Sequence, residues 1–83
     1  MKKYFVYVIR SLTRNYIYVG ISDNPDRRIE QHNKGYNRAT KPYLPFEILL
    51  IEEYSDRLSA RTREKYLKSG VGKEYLKDKF TPE

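Results

Sequence analysis

Apolar and polar positions change period along this chain, and each change marks an element. Residues Lys3 to Arg10 (KYFVYVIR) form a β-branched and aromatic run, which predicts a largely buried strand. A polar stretch, Ser11 to Asn15, leads to a second strand over Tyr16 to Ile21 (YIYVGI). So short a link makes the pair an antiparallel hairpin. Alternation along the second strand puts Ile17, Val19 and Ile21 on one face, and Tyr16, Tyr18 and Gly20 on the other. Glycine weakens a strand and often marks a place where another group comes close.

The period then becomes helical. Ser22, Asp23 or Asn24 can cap a helix, Pro25 suits its first turn, and Asp26 suits its positive end. The helix is predicted to run to about Lys34, with Gly35 closing it. Its stripe is weakly apolar and carries Arg28 and His32 beside Ile29. Gly35 to Pro45 is a loop mixing Arg38 and Lys41 with Tyr36 and Tyr43. Phe46 to Tyr54 (FEILLIEEY) is a third strand. Asp56 caps a second helix, predicted to reach about Ser69 and to stop at Gly70. On it, Ala60, Glu64 and Leu67 share one face. Gly72 to Phe80 is a short last helix, with Leu76 and Phe80 packing one turn apart. The order β-β-α-β-α-α predicts an α+β fold with a small three-stranded antiparallel sheet, one domain over residues 1–83.

Composition narrows the chemistry. There is no cysteine, which excludes disulfides, zinc-thiolate sites and a cysteine nucleophile. One histidine excludes a histidine cage and leaves a hard cation held by oxygens. The first apolar run is too short for a signal-peptide core, and nothing approaches a membrane span, so the expectation is a cytoplasmic protein with no membrane partner. A net charge of +6 points to nucleic acid as the polyanionic partner, and no obligate protein partner is evident.

Two triplets stand out together, Phe5-Val6-Tyr7 on the first strand and Tyr18-Val19-Gly20 on the second. With Arg28, the pair His32-Asn33 and the late stretch Arg63 to Gly70 around Glu64, they follow in the order of the GIY-YIG nuclease signature. The chain resembles that superfamily from Tyr4 to about Phe80, and within it the small stand-alone bacterial branch. Phe5-Val6 replaces the Gly-Ile of the first triplet and Val19 the Ile of the second; beyond the triplets, Ile21 stands where many relatives carry a lysine, and no asparagine occurs beyond Asn37.

The resemblance implies an endonuclease that hydrolyses DNA phosphodiester bonds with Mg²⁺ or Mn²⁺, branched or damaged DNA among its substrates. It implies that Glu64 binds the metal, that Arg28 pairs with the phosphate and that Tyr7 or Tyr18 holds and deprotonates the attacking water, with His32 assisting. A free tyrosine has a pKa of about 10, so such a base needs an environment that favours phenolate. Gly20 and Asn33 are structural residues of that site, Asn33 as a cap or loop anchor. Arg27, Arg38 and Lys41 are expected to contact phosphates. Tyr4 and Tyr16 read as structural, while Tyr36 and Tyr43 either stack on bases or pin the loop. The alternative for Glu64 is an ion pair with Arg61 or Lys68, and for the whole chain a non-catalytic nucleic-acid-binding module.

Overall fold

In the computed structural model, which describes residues 2–80, three strands and three helices follow the expected order. They are β1 (Tyr4–Ser11), β2 (Ile17–Ser22), α1 (Pro25–Asn33), β3 (Phe46–Tyr54), α2 (Arg57–Lys68) and α3 (Gly70–Phe80), with one 3₁₀ turn at Lys41–Tyr43. The sheet order is β2-β1-β3, antiparallel throughout. As the central strand, β1 is covered on both faces, so its run Val6, Tyr7, Val8, Ile9 is buried without alternation.

Each face has its own core. Val6, Val8 and Val19 pack with Ala60, Leu67 and Leu76 of α2 and α3. Tyr7 and Ile9 pack with Ile29 of α1 and Phe46 on the opposite face, edged by Tyr16 and Tyr18. The two predicted faces of the second strand are therefore these two cores. A bulge leaves Leu49 of β3 without a partner on β1, where Val8 faces Leu50 and Ile9 faces Ile48.

Of the three candidate caps for α1, Asn24 does the work, its side chain accepting from the Arg27 amide at 3.2 Å. Asp56 caps α2 through the Ser59 amide. The last turn of α2 departs from expectation. The helix ends at Lys68, and Gly70 opens α3 instead of stopping α2. Ser69 is the reason. It takes an extended backbone, its Oγ accepts from the Gly72 amide, and its carbonyl accepts from Lys73 N, so it ends one helix and caps the next. Gly72 is buried where α3 crosses α2; a β-carbon there would run into the Tyr66 carbonyl and the Leu67 backbone. Leu76 belongs to the core on the α2 and α3 side, and Phe80 packs against that core. Among the described residues no helix is long and apolar enough to cross a membrane.

Candidate active site

The hairpin register places Tyr7 directly opposite Gly20. The Tyr7 ring lies across β2 at that point. A β-carbon on residue 20 would stand 2.5 Å from both Cζ and the phenol oxygen of Tyr7. Glycine is thus what lets this ring cross the second strand, the close approach its place in the strand suggested.

From the other side, α1 delivers His32. Ile29 and His32 are its buried residues and seat it on the sheet, which brings Arg28 along on the same stripe. The Tyr7 hydroxyl is 3.1 Å from His32 Nε2. His32 Nδ1 is 2.8 Å from Thr40 Oγ1, and Thr40 in turn donates to the Asn37 carbonyl at 3.4 Å. A neutral ring with its proton on Nδ1 satisfies the whole set: Nδ1–H donates to Thr40, and Nε2 accepts from Tyr7. Tyr18 completes the cluster, its ring centroid 4.7 Å from that of His32 and 6.1 Å from that of Tyr7. Arg28 is half-buried, and a bond from Nη1 to Gln31 Oε1 at 2.8 Å orients its guanidinium.

The electrostatics differ from expectation at Tyr7. Burial, reinforced by Tyr18, pushes its phenol up to about 12, and Arg28 only partly opposes this. The expectation of an environment favouring phenolate is therefore corrected for Tyr7, which stays protonated at neutral pH. Desolvation, and then the Arg28 charge, lower the His32 pKa and keep the imidazole neutral. Tyr18 is half-buried, so it keeps contact with solvent that Tyr7 has lost.

Tyr7, Tyr18, Gly20, Arg28 and His32 thus converge. Asn33 is an anchor: its Oδ1 accepts from the Phe46 amide at 2.7 Å and its Nδ2 donates to the Phe46 carbonyl, tying the end of α1 to the start of β3. Tyr43 stacks on Tyr16 at 3.9 Å and 9°, which pins the loop, whereas Tyr36 is 73% exposed. Arg27, Arg38 and Lys41 are exposed, on the first turn of α1 and along the loop.

Glu64 lies on α2, whose Ala60 and Leu67 pack against the other face of the sheet. It is buried between Ala60 and Leu67 as its helical spacing required. Lys68 Nζ lies 3.2 Å and Arg61 Nη1 3.7 Å from its two oxygens, the ion pairs anticipated as its alternative role. Thr40 was missed by sequence reasoning. It is fully buried in a loop whose other polar residues look the same in sequence. The available signal was chemical: a buried histidine needs a partner at each ring nitrogen.

The GIY-YIG catalytic domain family matches residues 3–77. The chain belongs to the GIY-YIG family. GIY-YIG domains are a nuclease family, so the clustered tyrosines, arginine and histidine lie in a nuclease fold. The chain is also similar to the solution NMR structure of the UPF0213 protein BH0048 from Bacillus halodurans, with a TM-score of 0.56 and 25% identity over 94% of this chain and 85% of that one. No curated protein matches it. In this GIY-YIG domain the two signature triplets are hydrogen-bonded neighbours, with Tyr7 facing Gly20 and Val8 facing Val19. Ile21, after the signature glycine, is half-buried against the α2 and α3 core, so no cation follows Gly20.

Proposed function

We propose that this GIY-YIG domain is a divalent-metal-dependent endonuclease that hydrolyses DNA phosphodiester bonds, with branched or damaged DNA among its substrates. The observation that carries the reading is the convergence of Tyr7, Tyr18, Arg28 and His32, from three separate elements, on one cluster beside Gly20.

A metal must fit the residues present. Among the described residues no three His, Cys, Asp or Glu side chains stand together, so a polydentate protein cage is excluded there. Glu64 offers one buried carboxylate, and its two cationic partners are half-exposed side chains held at 3.2 and 3.7 Å. A hard cation such as Mg²⁺ suits this donor, because it keeps waters and takes substrate oxygens for the rest of its shell. Bound at Glu64, such an ion would supply positive charge for the phosphorane and the leaving oxygen.

The other roles belong to the chain itself. Arg28, fixed by Gln31, pairs with a nonbridging phosphate oxygen. Tyr18, the more accessible phenol, holds the attacking water. Tyr7 is a positioning residue: its proton is committed to His32 Nε2, and its raised pKa keeps it there. His32 is held in one tautomer by Thr40. Arg27, Arg38 and Lys41 contact flanking phosphates.

The ion pairs of Glu64 favour one second reading, a non-catalytic nucleic-acid-binding module on the same scaffold. A panel of labelled duplex, single-stranded, flapped and branched DNA, with RNA alongside, separates the two. Cutting in Mg²⁺ that stops in EDTA supports the nuclease. Salt-sensitive binding with no cutting on any member supports the module.

A further inference from the structure

Every acidic oxygen of α2 belongs to one residue. The helix carries five basic side chains, Arg57, Arg61, Arg63, Lys65 and Lys68, and a single acid, Glu64. Arg63 is committed elsewhere, to Glu52 of β3 at 2.9 Å. Two of the others converge on Glu64 from one turn to either side. Arg61 Nη1 lies 3.7 Å from Oε1, and Lys68 Nζ donates to Oε2 at 3.2 Å. Each oxygen of the carboxylate thus has its own cation.

The three side chains are unequally buried. That of Glu64 is 8% exposed, whereas those of Arg61 and Lys68 are both 53% exposed. A carboxylate at that depth needs compensating charge. Its two partners are easily drawn away, because ion pairs made by exposed, flexible side chains hold weakly. Lys68 also lines an open groove of about 570 Å³ between β2, α2 and α3, which gives its stem room to swing. A divalent ion coordinated to the same two oxygens would stand close to an ammonium and a guanidinium and be repelled by both. The trio carries a net charge of +1 as it stands and would carry +3 with such an ion in place. Phosphates reverse this balance. They offer the two cations new partners and leave both carboxylate oxygens open. Two ligands linked in this way raise each other's affinity by the same factor.

We propose that Arg61 and Lys68 form a displaceable latch on Glu64, which nucleic-acid phosphates draw off, so that a divalent ion binds there tightly only when the polyanion is present. The ion's place at Glu64 rests on the nuclease reading. Arg61 and Lys68 are then positioning residues that pass from carboxylate to phosphate as the ion enters. The free chain stays largely unloaded, with its buried carboxylate neutralised by its own side chains.

The test follows Mn²⁺ binding to the full chain, without nucleic acid, by the loss of the free-ion EPR signal. Lys68→Met and Arg61→Met remove the charge and keep much of the stem. Lys65→Met makes the same charge change on α2, at an exposed residue outside the two ion pairs. Glu64→Gln reports which binding belongs to Glu64, and circular dichroism checks each fold. Mn²⁺ binding is expected to tighten roughly five- to tenfold in Lys68→Met and in Arg61→Met, to change less than about twofold in Lys65→Met, and to be lost in Glu64→Gln. From the DNA side, anisotropy of a labelled phosphorothioate duplex, which resists cutting, is read in EDTA and in Mn²⁺. Wild-type affinity is expected to rise with the ion, and the rise to shrink when Arg61 and Lys68 are both replaced. Equal tightening in Lys65→Met and Lys68→Met, no tightening in any variant, or an undiminished rise would each overturn the latch. If Glu64→Gln still abolishes Mn²⁺ binding, the nuclease reading survives that failure. Mn²⁺ that binds none of these proteins, or binds regardless of Glu64, overturns both. Latch behaviour with no cleavage of any DNA in Mg²⁺ keeps the latch and sinks the nuclease reading.

Discussion

Tyr7 lies across Gly20 so closely that the glycine has no room for a single added carbon. Both signature triplets depend on this contact, because it fixes where the Tyr7 hydroxyl meets His32. Gly20→Ala forces the buried ring or the strand to shift, and overpacking of this kind costs about 1–3 kcal/mol. Urea denaturation reads that loss directly. In a Tyr7→Ala background the same Gly20→Ala change costs much less, since its collision partner is gone; equal costs in the two backgrounds would contradict the contact.

His32 makes stability fall on the acid side. Its folded-state pKa lies below the ordinary value of 6.5, so the unfolded chain takes up a proton at a pH where the folded chain does not. Stability is whole above 6.5 and is lost as pH falls from there through the lowered folded value. Carboxylates add their own losses further down. Thermal midpoints across this window are expected to drop in the wild type and to flatten in His32→Gln, and parallel profiles would rule the assignment out.

Tyr7 acts at the opposite end of the scale. With its phenol pushed up to about 12, the folded chain keeps a proton that the unfolded chain releases near 10. The stabilisation, on the order of 2–3 kcal/mol at about 1.4 kcal/mol per unit, is present below pH 10 and disappears between there and 12. Burial also raises Tyr16 and Tyr54, so absorbance at the phenolate band is expected to lose its latest-titrating step, and only that step, in Tyr7→Phe.

Thr40 accepts the proton that holds His32 in one tautomer. Thr40→Val keeps the volume but leaves a buried Nδ1–H without a partner, a cost of about 1–3 kcal/mol. Thr40→Ser retains the hydroxyl and is expected to restore most of it. Nitrogen chemical shifts of the imidazole give a further readout: the wild type reports the Nδ1–H form, and the valine variant a mixture.

Local rules read much of this fold. The continuous apolar run of β1, the two faces of β2 and the span of β3 followed from period and branching, and each strand covers the residues its pattern indicated to within one position. Asn24 and Asp56 were legible as caps because capping is settled within three residues. Ser69 was not, because its Oγ serves α3 rather than the helix that precedes it, and the nearby Gly70 offered a stronger stop signal. At the site, Tyr7 and Tyr18 were legible as members of the two triplets and Gly20 as a place of close approach, whereas the ring that crosses it is set by the strand register. Thr40 depends on how an irregular loop folds back over α1, which no periodicity encodes. The depth of Tyr7, and with it the direction of its pKa, depends on α1, the loop after it and the sheet closing around one ring.

Single-turnover cleavage of the best-cut DNA in Mg²⁺, by the wild type, Arg28→Ala and Glu64→Ala, tests the central claim most directly. The account predicts a loss of about 100-fold or more for each variant, as removal of a charge-stabilising group costs, while DNA binding in EDTA changes far less. Cleavage that persists in EDTA, or that survives both substitutions at the wild-type rate, would contradict it.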